Sequence, residues 1–259
     1  MMNDQQELDH LCSLLSGCSR GVFFTGAGIS TESGIPDYRS PGTGLWETMK
    51  PIPFQDFVSS AEARATSWQR KFSSTLMTSA VPNKGHVALK ALCDTKRFVG
   101  VITQNVDNLH QVSGLASEQI IELHGNATYA RCLSCQRRYD LEPLRALFVD
   151  TGEVPPCEAC SGLIKTATIS FGQSMPEHEM KRAEAWLQGC DLMIVLGSSL
   201  TVYPAAGFPE VAARMGATLV IINRESTGLD HLADLVIREP IGEVMSACLD
   251  RLSDDRRPT

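Results

Sequence analysis

The sequence predicts an α/β fold: a Rossmann-like parallel sheet covered by helices on both faces. Three observations predict it. Short, wholly apolar runs recur along the chain, segments of helical periodicity alternate with them, and the runs end in turns rich in Gly, Ser and Asn. Runs that are apolar on both faces mark strands buried between helices. Their alternation with helices gives an open parallel sheet rather than a sandwich or barrel.

Residues 5 to 18 read as an amphipathic helix with Leu8, Leu11, Cys12, Leu15 and Cys18 on one stripe. Gly21-Val22-Phe23-Phe24 follows as a buried strand that stops at a glycine-rich turn. Further strands are expected at 98–103, 119–123, 192–196 and 218–222, with a sixth at 234–237. Helices are expected at 85–94, 178–189 and 204–216. Two stretches break the alternation. Residues 41–82 hold no strand-like run, and a Pro/Gly-rich start leads into a helix over 60–78. Residues 126–167 carry two cysteine pairs. Both are expected to be insertions that pack together as a smaller domain, a helical module beside a zinc-ribbon module. That leaves 1–40, 83–125 and 168–259 for the large domain. Residues 253–259 are expected to fray.

A chain of 259 residues with 43% hydrophobic and 20% charged content has ample material for a core. Its net charge of −7 argues against non-specific nucleic-acid binding as its main business. A basic peptide tail remains compatible with that charge. No apolar run reaches the roughly 20 residues that a bilayer helix needs. The start, Met1-Met2-Asn3-Asp4-Gln5-Gln6-Glu7, has neither the basic nor the apolar region of a secretory signal. Nine cysteines cannot all pair. The pattern reads as reduced, cytoplasmic usage, with four metal ligands and five buried thiols at Cys12, Cys18, Cys93, Cys190 and Cys248.

The turn Thr25-Gly26-Ala27-Gly28-Ile29-Ser30-Thr31 follows the first strand directly. Its glycines let backbone approach a phosphate, and the next helix would aim its N–H groups at it. A Gly-x-Gly alone also suits an ordinary tight turn. Thr31 stands where a dehydrogenase fingerprint needs its third glycine, and no second strand ends in an acidic residue about 20 positions on. A dinucleotide therefore fits, while ordinary hydride transfer does not.

Gln104-Asn105-Val106-Asp107-Asn108-Leu109-His110 lies just past a strand's C-terminal end. Its amides and carboxylate suit ribose hydroxyls and a carboxamide, and helix capping by Asn105 or Asp107 accounts for only one of them. Gly197-Ser198-Ser199 and Asn223-Arg224-Glu225 close two other strands. Turn chemistry explains each alone, but not four such ends in one sheet.

Cys132-x-x-Cys135 and Cys157-x-x-Cys160, with 21 residues between the pairs, form a tetrathiolate zinc signal. Four thiolates close a tetrahedral shell, so the site is structural. His124, eight residues before the first cysteine, could be a zinc ligand, a core residue or a catalytic base. The completed cysteine shell removes the first role.

In this order and spacing, Gly26-Ala27-Gly28-Ile29-Ser30, Ile35-Pro36-Asp37-Tyr38-Arg39, Thr103 to His110, Leu123-His124-Gly125, the four cysteines, Phe171-Gly172, Leu196 to Leu200 and Ile222-Asn223 resemble a sirtuin. The sirtuins are the NAD-dependent protein deacylases, and the likeness covers residues 20 to 240. It implies NAD across the C-terminal edge of the sheet, held by Gly26, Ala27, Gly28, Asp37, Tyr38, Arg39, Gln104, Asn105, Asp107, Gly197, Ser198, Ser199, Asn223 and Glu225. It implies a catalytic set of His124, Asn105 and Asp107, with structural zinc on Cys132, Cys135, Cys157 and Cys160.

In the implied reaction an acyl-lysine carbonyl oxygen attacks C1′ of the nicotinamide ribose and nicotinamide leaves. His124 takes a proton from a ribose hydroxyl. The products are free lysine, nicotinamide and O-acyl-ADP-ribose. The acylated peptide would add as a strand along Ile169, Phe171 and Gly172 on one side and Val202 and Tyr203 on the other.

Two departures bear on specificity. Where many members read Lys-Pro-Asp-Val-Val-x-Phe-Gly-Glu, this chain has Lys165 to Gln173, with an amide replacing the last carboxylate. Members that remove acidic acyl groups place a Tyr three residues before an Arg, and here Ser67 precedes Arg70, which favours neutral acyl groups. His86 is expected to be structural. The other readings weighed are a mono-ADP-ribosyltransferase or NAD hydrolase on the same scaffold, and a non-enzymatic NAD-sensing or zinc-ribbon interaction module. The intact set of Gln104, Asn105, Asp107 and His124 favours deacylation over both.

Overall fold

The computed structural model describes residues 4–40, 42, 44–74 and 76–254. Nine strands are defined among them: β1 (Gly21–Thr25), β2 (Phe98–Thr103), β3 (Ile120–Glu122), β4 (Gly125–Cys132), β5 (Arg138–Asp140), β6 (Ile164–Thr168), β7 (Leu192–Leu196), β8 (Thr218–Ile222) and β9 (Leu235–Ile237). Six form one sheet in the order β3-β2-β1-β7-β8-β9. Every neighbouring pair is parallel. The remaining three form an antiparallel sheet, β5-β4-β6. The strand order of the large sheet reverses between β1 and β7, and at such a switch point loops leave in opposite directions and open a crevice.

Side-chain alternation sorts the apolar runs onto two faces. Phe23, Leu192, Ile194, Leu196, Val220 and Ile222 enter one core with Leu11, Leu15, Leu89, Leu92, Val244 and Met245. These last six come from the helices Asp4–Gly17, Lys84–Asp94 and Ile241–Asp254. Val22, Phe24, Met193, Val195, Leu219 and Ile221 enter the other, with Ala183, Leu187, Phe208 and Ala212. Those four belong to the helices Glu177–Leu187 and Gly207–Arg214. Both faces are therefore covered, as a fully apolar strand requires.

A third core unites the two irregular stretches. Trp68 is buried with Ala130, Cys132, Leu144, Phe148, Cys157 and Ile164, and Phe72 packs against them. The Trp68 and Phe72 rings stack at 5.2 Å, and Phe72 meets Phe148 at 5.5 Å. The helix Ala61–Ser73 thus buries its aromatic stripe against the cysteine-bearing sheet.

Several elements differ from expectation. The helix foreseen over 60–78 starts on a Ser60 cap, whose side chain accepts from Ala63 N, and ends at Ser73. The extended backbone of Ser74 separates it from a short helix, Leu76–Ser79. Two further short helices, Leu45–Thr48 and Phe54–Ser59, precede it. The helix expected at 204–216 is confined to Gly207–Arg214, because turns occupy 202–206. The segment after the glycine turn is a 3-10 helix, Ala27–Ser33, closed by left-handed Gly34 just before Ile35-Pro36. The C-terminal helix continues to Asp254, and residues 255–259, where fraying was expected, lie outside the described residues. Cys18, Cys93, Cys190 and Cys248 are buried thiols, whereas Cys12 is only half-buried.

Candidate active site

The crevice at the switch point is lined by the ends of β1 and β7. Gly28 N donates to Gly197 O at 2.8 Å, and Gly26 N donates to Leu196 O at 3.0 Å. A Cβ on Gly197 would lie 2.3 Å from Ile29 N, and its φ of +65° is itself left-handed. Only glycine fits there. Cβ atoms at Gly26 or Gly28 would meet Gly197 and Ser198 backbone at 2.7 to 2.9 Å. These glycines therefore serve first to let the two strand-end loops interlock. Side-chain-free backbone lines the crevice as a result.

Ser198 accepts from Gln104 Nε2 at 2.7 Å and from Leu200 N at 3.3 Å, so its hydroxyl hydrogen is left to donate. Gln104 thereby ties β2 to β7 across β1. Asn105 is buried, and its Nδ2 donates to Gly26 O at 3.0 Å and to Ser30 Oγ at 3.3 Å. Asp107 is buried as well. It accepts from Ser30 Oγ at 2.7 Å and from Leu109 N at 2.9 Å, so it caps the short helix Leu109–Val112 while holding the glycine loop. Ser30 is the link that sequence reasoning did not single out.

Behind these residues lies a polar layer. Thr25 and Thr103 are register partners, and their hydroxyls bond at 2.8 Å. Asn105 N donates to Thr103 Oγ1 at 3.0 Å, and His110 Nε2 lies 2.9 Å from Thr25 Oγ1. His86 Nδ1 donates to Asn83 Oδ1 at 3.1 Å. His86 Nε2 and His110 Nδ1 are buried without a partner among the described residues. Burial lowers His86 to about 4, against the attraction of Asp107, and lowers His110 well below its usual value. His86 lies in the first turn of the helix Lys84–Asp94, and burial keeps both rings neutral. Two strand-ending threonines in equivalent positions were the available sequence signal for this layer.

His124 sits where β3 hands over to β4. Its Nδ1 lies 3.0 Å from Gln104 O. A carbonyl can only accept, so Nδ1 carries the proton and Nε2 keeps its lone pair. Burial lowers its pKa from the ordinary value, and the Gln104 carbonyl partly opposes that. Two backbone bonds fix the residue: Leu123 N to Thr103 O at 3.0 Å and Ile169 N to His124 O at 2.8 Å. Gly125 follows with φ +73°, and a Cβ there would lie 1.9 Å from Ala167 O. Glu122 anchors the same stretch by accepting from Gln111 Nε2 and Asn126 Nδ2, each at 2.7 Å. Sequence reading passed over Glu122 and Asn126, because a lone carboxylate beside an apolar run carries no pattern.

The remaining expected residues lie on rim loops. Asp37 turns its carboxylate into its own loop, accepting from Arg39 N at 2.9 Å and Ser40 N at 2.7 Å. Burial opposes that charge, but these bonds and that of the Ser40 hydroxyl hold Asp37 below the usual carboxylate range. Tyr38 is half-buried, and burial raises its phenol. The Arg39 guanidinium stacks 4.2 Å over Trp46. Ser199 pairs with Thr201 at 3.0 Å, and Asn223 Nδ2 donates to Glu225 O at 2.7 Å beyond β8. Phe171 O accepts from Phe54 N at 2.8 Å, and the Phe171 ring meets Trp46 at 5.4 Å. Gly172 and Tyr203 are exposed, while Ile169 and Val202 are half-buried.

The four cysteines converge, with all Sγ atoms within 4.8 Å of one another. Cys132 and Cys160 are 3.4 Å apart, and Cys135 and Cys157 are 3.6 Å apart. A tetrahedron with Zn–S bonds of about 2.3 Å has sulfurs roughly 3.8 Å apart, so the set fits zinc. Tyr139 Oη donates to Cys157 Sγ at 3.0 Å, and chiefly for that reason the Cys157 thiol falls to about 6. No open position remains for chemistry.

The glycine cradle, the Ser198 hydroxyl and the amides of Gln104 and Asn105 suit a ligand carrying both phosphates and hydroxyls. Comparison with known proteins agrees with that chemistry. A protein from Rhodopseudomonas palustris called an NAD-dependent protein deacetylase is 53% identical over 239 residues, covering 92% of this chain and 94% of that protein. One from Bradyrhizobium diazoefficiens, NAD-dependent protein deacetylase 1, is 54% identical over the same share of this chain and 93% of its own length. A solved structure described as Sir2 with a p53 peptide and NAD+ superposes with a TM-score of 0.84 at 33% identity, covering 95% of this chain and 99% of that one. The Sir2 family model matches residues 26–204, which include the glycine cradle, His124 and all four cysteines. The chain belongs to the Sir2 family.

Proposed function

We propose that this chain is an NAD-dependent protein-lysine deacylase of the deacetylase type. The observation that carries the reading is His124, whose Nδ1 is pinned on Gln104 O and whose carbonyl is bonded to Ile169 N, at the head of the expected peptide strand. Close relatives named NAD-dependent protein deacetylase support it.

NAD, when bound, supplies the labile nicotinamide bond and the ribose that receives the acyl group. Gly26, Ala27, Gly28, Gly197 and Ser198 offer backbone and one hydroxyl to its pyrophosphate, with Arg39 adding a guanidinium from the rim. Asp37 and Tyr38 shape that rim loop. Gln104, Asn105 and Asp107 orient the nicotinamide and its ribose, and Ser199, Asn223 and Glu225 hold the adenosine side. His124 Nε2 then takes a proton from a ribose hydroxyl, a role suited to a neutral imidazole.

The acylated lysine of a protein or peptide enters between the Ile169, Phe171 and Gly172 segment and Val202 and Tyr203. Arg70 Nη1 donates to Lys50 O at 2.7 Å and Ser67 stands where a tyrosine would be, which supports neutral acyl groups. Zinc on Cys132, Cys135, Cys157 and Cys160 is structural. Residues 41–82 and 126–167 act together as the small domain, a reading that their shared aromatic core supports. No helix among the described residues is long and apolar enough to cross a membrane. The cysteine usage supports a cytoplasmic enzyme, and the net charge of −7 supports proteins rather than nucleic acid as its substrates.

The test is incubation with NAD and a panel of acyl-lysine peptides, followed by mass spectrometry. Peptide-dependent nicotinamide release with O-acyl-ADP-ribose is expected. ADP-ribosylated protein or free ADP-ribose without deacylation would overturn the reading in favour of a transferase or NAD hydrolase.

A further inference from the structure

Five cysteines lie outside the metal cluster, and two of them meet. Cys12 is on the helix Asp4–Gly17 and Cys248 on the helix Ile241–Asp254. They are 236 positions apart in sequence, yet their sulfurs are 3.1 Å apart. Non-bonded carbon atoms keep roughly 3.5–4.0 Å, and sulfur is the larger atom. About 1 Å of further approach would reach the disulfide length of about 2.05 Å. Of the other three, Cys18 meets Asp191 at 3.3 Å, Cys190 meets Leu192 O at 3.4 Å, and Cys93 is buried in the core.

The surroundings give the two sulfurs different parts. Cys12 is half-buried, so a small solute can reach it, whereas Cys248 is wholly buried in the core. One helical turn from each cysteine, Asp9 and Arg251 form an ion pair that ties the same two helices together.

We propose that Cys12 and Cys248 form a site of oxidative modification, closing to an intramolecular disulfide when the protein meets a peroxide-class oxidant. The Cys12 sulfur attacks one peroxide oxygen, breaks the O–O bond and becomes a sulfenic acid, while the departing hydroxide leaves as water with the Cys12 thiol proton. The Cys248 sulfur then attacks the Cys12 sulfur. The S–O bond breaks, the S–S bond forms, and the Cys248 proton leaves with the hydroxide as a second water. Two electrons pass from the sulfurs to the peroxide, so two thiols and one hydrogen peroxide give one disulfide and two waters. The bond joins the first and last helices of the large sheet and constrains nearly the whole unfolded chain, the loop size at which cross-linking stabilises most in the entropic view.

The experiment treats the zinc-loaded, full-length protein with a small excess of hydrogen peroxide. It maps cysteines by non-reducing peptide mass spectrometry and follows zinc release with a chromogenic chelator. The expected result is a 12–248 cross-linked peptide, two mass units lighter than its reduced parts, formed before zinc is released. The melting temperature should rise by several degrees and fall back on reduction. Cys12→Ser, at a half-buried position that keeps the fold, should show neither the cross-link nor the rise. Sulfinic acid at Cys12 beside a free Cys248, or zinc release with both thiols still alkylatable, would overturn the proposal.

Discussion

The proton on His124 is fixed by Gln104: their Nδ1 and carbonyl oxygen are 3.0 Å apart, and the donor can only be the ring. The bare Nε2 is therefore a property of the fold before any substrate arrives. His124→Ala is expected to leave melting behaviour and NAD titration close to wild type while lowering the deacylation rate by about 10²–10⁴-fold. Retained activity in that variant would remove the base role. Because burial lowers the His124 pKa, the acid limb of the rate profile is expected below pH 6.5. A limb above that pH would contradict the assignment.

Gly197→Ala tests the interlocked loops. The new methyl meets Ile29 N at 2.3 Å in a left-handed conformation, so a loss of about 1–3 kcal/mol is expected from backbone strain alone. NAD affinity should fall with it, measured by calorimetry beside a denaturant melt. Unaltered binding would mean that the cradle does not hold the pyrophosphate.

Cys132→Ser should lose the metal, because binding energy at a structural site is folding energy. Trp68 shares its core with Cys132 and Cys157, so the disturbance should reach the helix Ala61–Ser73. A drop in melting temperature on the order of 10 °C, with a changed tryptophan spectrum, is the expected outcome. Full zinc content by atomic emission would refute the tetrathiolate.

The neutral histidine layer makes stability depend on pH. His86 is held near 4 in the fold, against 6.5 for an ordinary histidine. The unfolded chain therefore binds a proton first as pH falls, and stability present above about pH 6.5 is lost on the way to 4. The loss approaches about 1.4 kcal/mol per pH unit within that window. His86→Gln, which cannot titrate, should flatten the slope even if it lowers stability at pH 7.5. An identical slope in both proteins would exclude His86 as the cause.

The large sheet was legible because each apolar run from Val22 to Ile222 is bounded by a turn, and the cysteine spacing disclosed the metal set outright. The catalytic reading of His124 rested on resemblance. What sequence could not convey was partnership across the sheet. Nothing local says that Ser30 will hold Asp107, or that Thr25 and Thr103 will end in register. The helix after the glycine turn was misjudged for a related reason. Its 3-10 form reflects a short path between an interlocked turn and left-handed Gly34, which is a tertiary constraint rather than a propensity.

The cysteine-bearing sheet leaves and rejoins the large one at a single crossing. Gly125 opposes Thr168, and the next residue in each direction is joined by the bond from Ile169 N to His124 O. His124 is therefore held from both sides of the seam, by Thr103 through Leu123 N and by Ile169 at its own carbonyl. Any displacement of either sheet against the other reaches the imidazole through one backbone bond.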